Sequence, residues 1–494
     1  MRNLLLLLCL VSSAAAQYGR TAAGLTQDTL ATVGSHVITT RDFLERFELM
    51  PWPNKDNKAR IEATKRDFLH SLMAEKLLAM EATAQNLGND PLTLRLQQNL
   101  EKLFVRDELY KTEVTSRIVI TPEETREGMK RFPAEVEVVM LGIINQKDGD
   151  LLYKKVAAAR NKRAVLWSFE DSLFVPLDTF VVKYGFKDRK VEDAVFALGK
   201  DSLTKPVQTE PFGTVMFYLL RRSTNMENAK FNTADRMHKV NNIIKDRKED
   251  SIAVKFFASV TSPQRAEADP AVFFRMADSA YAILRRDSAE LFGKGLFQFS
   301  PVGTERLRGQ IADILDQPFI SIATGPMTVQ QVLDGLVNNN VVFPAPLETL
   351  QVRAVLNNNI KTVIQNEMLA REGLRRNLQQ SAAVRHDIAV WMDNYRSARM
   401  LRAVLDTLAP PPDTLTPVQK ERYRKEAVDA FIGELADRYG AAMREEALRN
   451  LSTTTTNMST WRHIGFGGRI LGVPQTRPQV DWIYERKKQD TINQ

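Results

Sequence analysis

The chain has 494 residues, of which 44% are hydrophobic and 26% charged, a balance that supports globular domains and excludes a disordered chain. Its net charge of +8 comes from 68 basic and 60 acidic residues that are interleaved along the chain. We interpret the excess of positive charge as part of an ordinary solvated surface, and a weak preference for acidic partners is the alternative. Nucleic-acid binding is not expected. The five histidines lack metal-ligand spacing, and no phosphate-binding or hydrolase motif is present, so we predict neither a metal nor a cofactor such as ATP.

The first residues have the three parts of a secretory signal peptide. Arg2 supplies the positive charge, residues 4–11 form an apolar run too short to span a bilayer, and residues 14–16 are all alanine. We expect cleavage after Ala16, a periplasmic mature protein and no transmembrane segment in it. The single cysteine, Cys9, lies in the segment predicted to be removed, which would leave no thiol.

Amphipathic helices dominate the next part of the chain. A short strand pair around Gly34 leads into a helix that Thr39 or Thr40 caps. Apolar residues at three-and-four spacing predict longer helices over 61–87 and 91–115.

A further helix is predicted to begin at Thr121. Pro122 follows in the first turn, and Glu124 occupies the third helical position, which is the pattern of a capping box. We therefore predict a helical module over 17–132.

The same pattern returns about 290 residues later. Thr328 falls where Thr39 lies, at an offset of 289, and Asn377 falls where Asn86 lies, at an offset of 291. Several such matches occur in the same order, which indicates two copies of one module, the second over 319–451.

The segment between the copies has a different character. A strand is predicted over 135–144, helices over 151–161 and 191–198, and two extended runs on either side of a turn at Pro211. Together they predict a small α+β domain over 133–223.

The remaining segments are assigned from their positions relative to the two helical modules and the α+β domain. We predict a returning helix of the first module over 224–262, a linker and helical extension over 263–318, and a tail over 452–494 with partial order at best. The predicted fold class is mainly α with an inserted α+β domain.

This order of helical module, α+β insert and returning helix resembles the exported parvulin-type peptidyl-prolyl isomerases and chaperones of the SurA, PpiD and PrsA kind. Four stretches carry the resemblance: VGSHVITTRDFLERF at 33–47, RDFLHSLMAEKLLAMEATAQNLG at 66–88, VTSRIVITPEETREGMKRFPAEVEVVMLGII at 114–144 and VEDAVFALGKDSLTKPVQTEPFGTVMFYLL at 191–220. It implies a duplicated SurA-N-like helical chaperone module with a parvulin-like domain between the copies.

The chain departs from this family at the polar positions of the parvulin domain. Where the family usually has a histidine in its first strand, this chain has Val138 or Val139, and where a second histidine follows the Phe-Gly turn, it has Val215. Lys183 stands where the family has an acidic or thiol residue. The resemblance therefore implies a degenerate parvulin-like domain without catalytic residues.

Prolyl isomerisation breaks no bond, so an apolar proline pocket with a few hydrogen bonds is its main requirement. The residues predicted to form such a substrate pocket are Met140, Phe186, Phe196, Val215 and Phe217. The alternative is that these side chains are simply core.

Three functions follow from these observations. The first is a periplasmic SurA-like chaperone that binds unfolded exported or outer-membrane proteins through apolar surface. The second is an active peptidyl-prolyl cis-trans isomerase with an unusual site. The third is a non-catalytic scaffold subunit of an envelope assembly.

Overall fold

The computed structural model describes residues 29–143, 146–168, 178–209, 212–288, 296–298, 301–339, 341–344 and 347–483. The signal peptide predicted at 1–16 lies outside the described residues, as does the end of the tail. None of the helices in the described part of the chain is both long and apolar enough to cross a membrane.

Helices account for most of the described secondary structure. They are α1 Thr40–Leu49, α2 Ile61–Ala84, α3 Pro91–Glu113, α4 Pro122–Arg131, α5 Gln146–Ala158, α6 Lys162–Trp167, α7 Arg189–Phe196, α8 Met226–Ala229, α9 Thr233–Thr261, α10 Pro270–Ser288, α11 Pro301–Gln310, α12 Val329–Asn338, α13 Thr349–Arg375, α14 Ala382–Thr407, α15 Pro417–Tyr439 and α16 Glu445–Arg449.

The strands are short, with two exceptions in the middle of the chain. They are β1 Thr29–Val33, β2 His36–Thr39, β3 Ala134–Ile143, β4 Asp178–Lys183, β5 Val207–Thr209, β6 Gly213–Thr224, β7 Ala266–Ala268, β8 Leu296–Gln298, β9 Pro318–Ile322, β10 Met327–Thr328, β11 Val342–Pro344, β12 Ala441–Met443, β13 Trp461–His463 and β14 Arg469–Leu471. The predicted fold class, mainly α with an α+β part, is confirmed.

Contacts divide the chain into two compact units. The helical unit consists of residues up to Glu113 and from Lys255 onwards, and the α+β unit runs from Val114 to Val254. The α+β unit is thus longer than the predicted 133–223, because α4 and α9 as far as Val254 pack with its sheet rather than with the helical modules.

Two β-hairpins of the helical unit each lead into a helix with the same cap. The Thr39 hydroxyl accepts a hydrogen bond from the Asp42 amide at 3.2 Å, and the Asp42 carboxylate accepts one from the Thr39 amide at 2.9 Å. Thr328 and Gln331 make the same reciprocal pair at 3.3 and 3.1 Å. Thr39, rather than Thr40, is therefore the cap of α1.

Strands of the two predicted copies pair with strands from distant parts of the chain. β1 pairs with β2 and also with β12, which follows α15 of the second copy. β9 pairs with β10 and also with β7, which follows α9. β7 lies in the predicted linker, so that part of the linker is a sheet strand, which its neighbour β9 stabilises.

Long helices that are distant in the sequence also pack against each other. α2 packs against α14, and α3 packs against α13. An ion pair accompanies each contact, Lys76 with Asp393 at 2.6 Å and Lys102 with Glu367 at 2.8 Å. The helical unit thus builds its layers from elements that lie hundreds of residues apart.

The first core of this unit gathers around aromatic side chains. The Phe68 ring lies 5.3 Å from Phe43, 5.2 Å from Phe47 and 4.8 Å from Trp52, all edge-on. Each such ring stabilises the fold by about 1.5–3 kcal/mol when it is fully buried. A second core forms between α10, α11, α12 and α13.

The tail differs from the prediction of partial order. Residues 452–483, which we name the strap, follow the surface of α1 and α2, and the Trp482 side chain is 1% exposed in the first core. The Asn457 side chain brackets the Trp52 backbone, accepting from its N–H at 2.9 Å and donating to its carbonyl at 3.2 Å. These contacts are long-range, which is why the polar composition of the strap did not reveal them.

The α+β unit is built on one antiparallel sheet with the strand order β4-β3-β6-β5. Helix α7 covers one face, and α5 and α6 cover the other. A third apolar cluster joins α4 and α9 around Phe132, Tyr184, Val240 and Ile244.

Candidate functional site: the apolar face of the α+β unit

The side chains of β6 alternate between the two faces of the sheet. Val215 and Phe217 point into the cluster under α7, whereas Met216 and Tyr218 point into the cluster under α5 and α6. Phe217 is paired with Met140 in the register of β3 and β6. The period of two thus brings three of the predicted pocket residues to one face.

The other two predicted residues come from the segment around α7. Phe186 precedes this helix and Phe196 is its last residue, and both pack against the same cluster as Val215 and Phe217. Phe196 also lies under the Arg131 guanidinium, 5.6 Å from its ring centre.

All five predicted residues therefore lie in or against one cluster, but their side chains are buried to different extents. Val215 is 1% exposed and Phe217 is fully buried, so both are core side chains. Met140, Phe186 and Phe196 are half-buried, and only these three can meet a bound peptide.

A buried carboxylate fixes the loop that presents Phe186. Glu192 is fully buried and accepts hydrogen bonds from the amides of Gly185 at 2.7 Å and Phe186 at 3.0 Å, and it pairs with Arg247. Gly185 has a φ of +91°, a conformation that favours glycine. Burial raises the pKa of Tyr184, whose ring lies 5.3 Å from the Arg247 guanidinium, so its phenol stays neutral.

Two aromatic residues extend this face beyond the predicted set. The Phe180 ring lies 5.8 Å from Phe217, 6.1 Å from Phe186 and 6.3 Å from Phe212. Phe212 is 43% exposed and stands at the open edge of the cluster. We name Phe180, Phe186 and Phe212 the aromatic face. The alternation of Phe180 and Val182 along β4 was the sequence signal for the first of them.

The positions where the resembled family carries polar groups are apolar or turned outwards. Of the two valines, Val138 lies in the α7 cluster and Val139 on the opposite face. The Lys183 ammonium is exposed and lies 3.4 Å from Glu227 and 4.0 Å from Glu135.

Two threonine hydroxyls from the segments around β5 form hydrogen bonds with the backbone. The Thr204 hydroxyl accepts from the Phe217 amide at 2.9 Å. The Thr209 hydroxyl accepts from the Phe212 amide at 3.2 Å and donates to the Gly213 carbonyl at 2.9 Å.

Among the residues that the structure describes, the side chains that pack together in the α7 cluster are all apolar. His238, the one histidine between residues 114 and 254, is exposed on α9 and lies 3.4 Å from the Asn242 amide. Across the described ranges, no group of three or more His, Cys, Asp or Glu side chains could hold a metal ion.

No family model matches the chain, and no curated protein matches it. Solved structures similar to it include the peptidylprolyl isomerase PrsA from Bacillus cereus, with 15% identity, 46% of this chain and 87% of that chain covered, and a TM-score of 0.21. A SurA-like chaperone from Campylobacter jejuni is similar at 14% identity, with 49% and 100% covered and a TM-score of 0.21. The foldase PrsA from Streptococcus pneumoniae is similar at 14%, with 45% and 87% covered and a TM-score of 0.20.

These proteins are of the kind that the sequence resembles. TM-scores near 0.2 place no constraint on the site, so its chemistry follows from this chain's own residues.

Proposed function

We propose that this chain is a chaperone that holds unfolded polypeptides outside the cytoplasm, and that its α+β unit binds them without isomerising proline. The observation that carries this proposal is the aromatic face, in which the exposed Phe212 of a turn and the half-buried Phe186 of a loop lie beside the half-buried Phe180 of β4. Aromatic side chains bind apolar segments of many sequences, which is what a chaperone of unfolded chains requires.

The apolar character of the α7 cluster in the described part of the unit supports the loss of isomerase activity. A twisted prolyl amide is stabilised by hydrogen bonds, and the Thr209 hydroxyl already accepts from and donates to the backbone, while the Thr204 hydroxyl accepts from the Phe217 amide. The half-buried Phe186 and Met140 can pack against a proline ring, but packing alone binds the ground state and the twisted state alike.

The proposal extends to the location and the clients. The signal-peptide pattern before Gln17 supports export to the periplasm. The resemblance to the SurA and PrsA kind supports unfolded exported proteins, outer-membrane proteins among them, as clients. The duplicated helical module is proposed as the frame that surrounds such a client.

The test is suppression of aggregation of an unfolded outer-membrane protein by the mature chain. Phe212→Ser removes the exposed ring of the aromatic face and is expected to weaken suppression at equal molar ratio. Phe274→Ser is the matched control, because Phe274 is 47% exposed on α10 and lies outside this face.

Equal suppression by the two variants would contradict a role of the aromatic face. No suppression by the unmodified chain would contradict the chaperone proposal itself and favour a non-catalytic scaffold subunit of an envelope assembly.

A further inference from the structure

A trough in the helical unit lies between the start of α2 and the beginning of the strap. Its volume is about 590 Å³. One wall consists of Lys58, Ile61, Glu62 and Lys65, and the other of residues 449–456. Neither wall belongs to the α+β unit, so this feature is separate from the aromatic face.

The strap wall has the character of an unpaired strand. Residues 451–456 alternate between half-buried and exposed, which is the pattern of an extended chain. The Thr454 amide donates to the Glu48 carboxylate at 2.8 Å, and the Thr456 amide donates to the Thr454 hydroxyl at 3.4 Å.

The opposite edge of this segment is open. In an extended chain alternate amides point to opposite edges, so the amides of Thr453 and Thr455 point away from the edge that Glu48 holds. Among the described residues neither amide has a hydrogen-bond partner. A free edge of this kind pairs with a second extended backbone.

A buried lysine holds the two walls together. The Lys65 side chain is 2% exposed, and its ammonium donates to the Leu451 carbonyl at 2.8 Å and pairs with Glu62 at 2.8 Å. The only carboxylate that lines the described trough is thereby neutralised.

The cations at the rim are not neutralised in this way. Lys58 and Arg449 are exposed, and neither forms an ion pair with any residue that the structure describes. The trough therefore offers backbone donors on one wall and two free positive charges.

We propose that this trough binds an extended, acidic peptide segment by strand addition. The segment pairs its backbone with the amides of Thr453 and Thr455, and its carboxylates lie beside Lys58 and Arg449. Backbone pairing recognises no particular side chain, so it suits a protein that holds many unfolded chains. This inference rests on the proposed function and adds a second binding site to it.

The test uses the full mature chain and a short fluorescent peptide of alternating valine and threonine with two aspartates, titrated by anisotropy. The double variant Lys58→Glu, Arg449→Glu is expected to bind about tenfold more weakly, which corresponds to about 1.4 kcal/mol for the two reversed charges together. The matched control is Lys361→Glu, Arg422→Glu, which reverses two exposed charges elsewhere in the helical unit. Equal affinity for the trough variant and the control would overturn the inference.

A second probe separates strand addition from simple attraction of anions. The same peptide N-methylated at alternate amides keeps its charge but loses the pairing edge, so it should no longer bind. If it binds as tightly as the parent peptide, or if inorganic phosphate competes with the parent at low concentration, strand addition is wrong.

Failure of this inference is distinguishable from failure of the proposed function. If the unmodified chain suppresses aggregation but the peptide does not bind, the trough proposal falls and the chaperone proposal stands. If the peptide binds and suppression is absent, the trough is an acidic-peptide site and the chaperone proposal falls.

Discussion

Asn86 and Asn377, which the sequence matches at an offset of 291 residues, adopt the same left-handed backbone, with φ of 61° and 60°. Asn86 follows α2, where its amide donates to the Thr83 carbonyl at 3.1 Å, and Asn377 follows α13, where its amide donates to the Leu374 carbonyl at 2.9 Å. Each asparagine thus ends a long helix in a left-handed turn, which few residues other than glycine adopt readily.

Alanine at either position should destabilise the helical unit. Asn86→Ala and Asn377→Ala each force a Cβ-bearing residue without a polar side chain into the left-handed region, at a cost of about 1 kcal/mol. The measurement is the free energy of unfolding in urea. Glycine variants are the control and should retain the stability of the original chain, since glycine has no such penalty. Equal losses for alanine and glycine would show that the asparagine side chain, not the backbone, matters.

A buried ion pair joins the first core to the strap. Arg46 donates to the Glu75 carboxylate at 2.9 and 3.1 Å, and the same carboxylate accepts from Thr476 at 2.8 Å and from Asn394 at 2.7 Å. Glu75→Ala leaves the Arg46 cation buried without its partner and is expected to cost about 3 kcal/mol.

The control for this variant is Glu445→Ala, which breaks an ion pair with Arg66 whose partners are about 40% exposed. It should cost under about 1 kcal/mol. Similar thermal unfolding midpoints for the two variants would contradict the structural role of the Glu75 network.

The strap should detach when its buried anchor is removed. Trp482 is 1% exposed in the first core, so Trp482→Ala leaves a large cavity there and is expected to cost about 3–5 kcal/mol. Limited proteolysis should then cut between 452 and 481 sooner than in the original chain. Trp461→Ala is the control, because that indole is 49% exposed, and it should leave the cutting pattern unchanged.

One carboxylate gives a pH dependence with a definite sign. Hydrogen bonds from Arg375 and then Arg376 lower the pKa of Glu372 from 4.5 to about 2. A carboxyl group with a lowered pKa in the folded state stabilises the fold above about pH 4.5, and that stabilisation is lost as the pH falls towards 2.

The original chain should therefore exceed Glu372→Gln in the free energy of unfolding by about 1 kcal/mol at neutral pH, after allowance for solvent screening. The difference should shrink between pH 5 and pH 3 in urea unfolding measurements. A difference that grows on acidification would have the wrong sign.

Local signals in the sequence predicted the helices and their caps well. The capping boxes at Thr39, Thr121, Thr328 and Thr416 depend on residues three positions apart, so they can be read from the sequence alone. The first long helix is predicted to run to residue 87, but α2 ends at Ala84, and Asn86 takes the left-handed conformation that often follows a helix.

Long-range pairings could not be predicted in the same way. The partners of β1 and β9 lie in β12 and β7, and no local pattern in three-residue strands indicates which sheet they join. The order of the strap likewise depends on Trp482 reaching a core built from other parts of the chain.

The site was predicted as a group of residues, not as a surface. The alternation of strand residues predicts that Val215 and Phe217 lie on one face of the sheet. It does not reveal that α7 covers these two side chains and leaves others of the predicted pocket partly exposed. That these residues bind a substrate stays a prediction. Phe212 was seen as a turn residue, and its exposure depends on where the turn meets the sheet.

The central proposal is that the α+β unit binds unfolded chains without proline turnover. The most direct measurement is cis/trans turnover of a short proline peptide by the mature chain, with suppression of aggregation measured on the same preparation. We expect a rate at the uncatalysed background together with strong suppression. Turnover well above background that Phe186→Ala abolishes would contradict it and make this protein a peptidyl-prolyl isomerase.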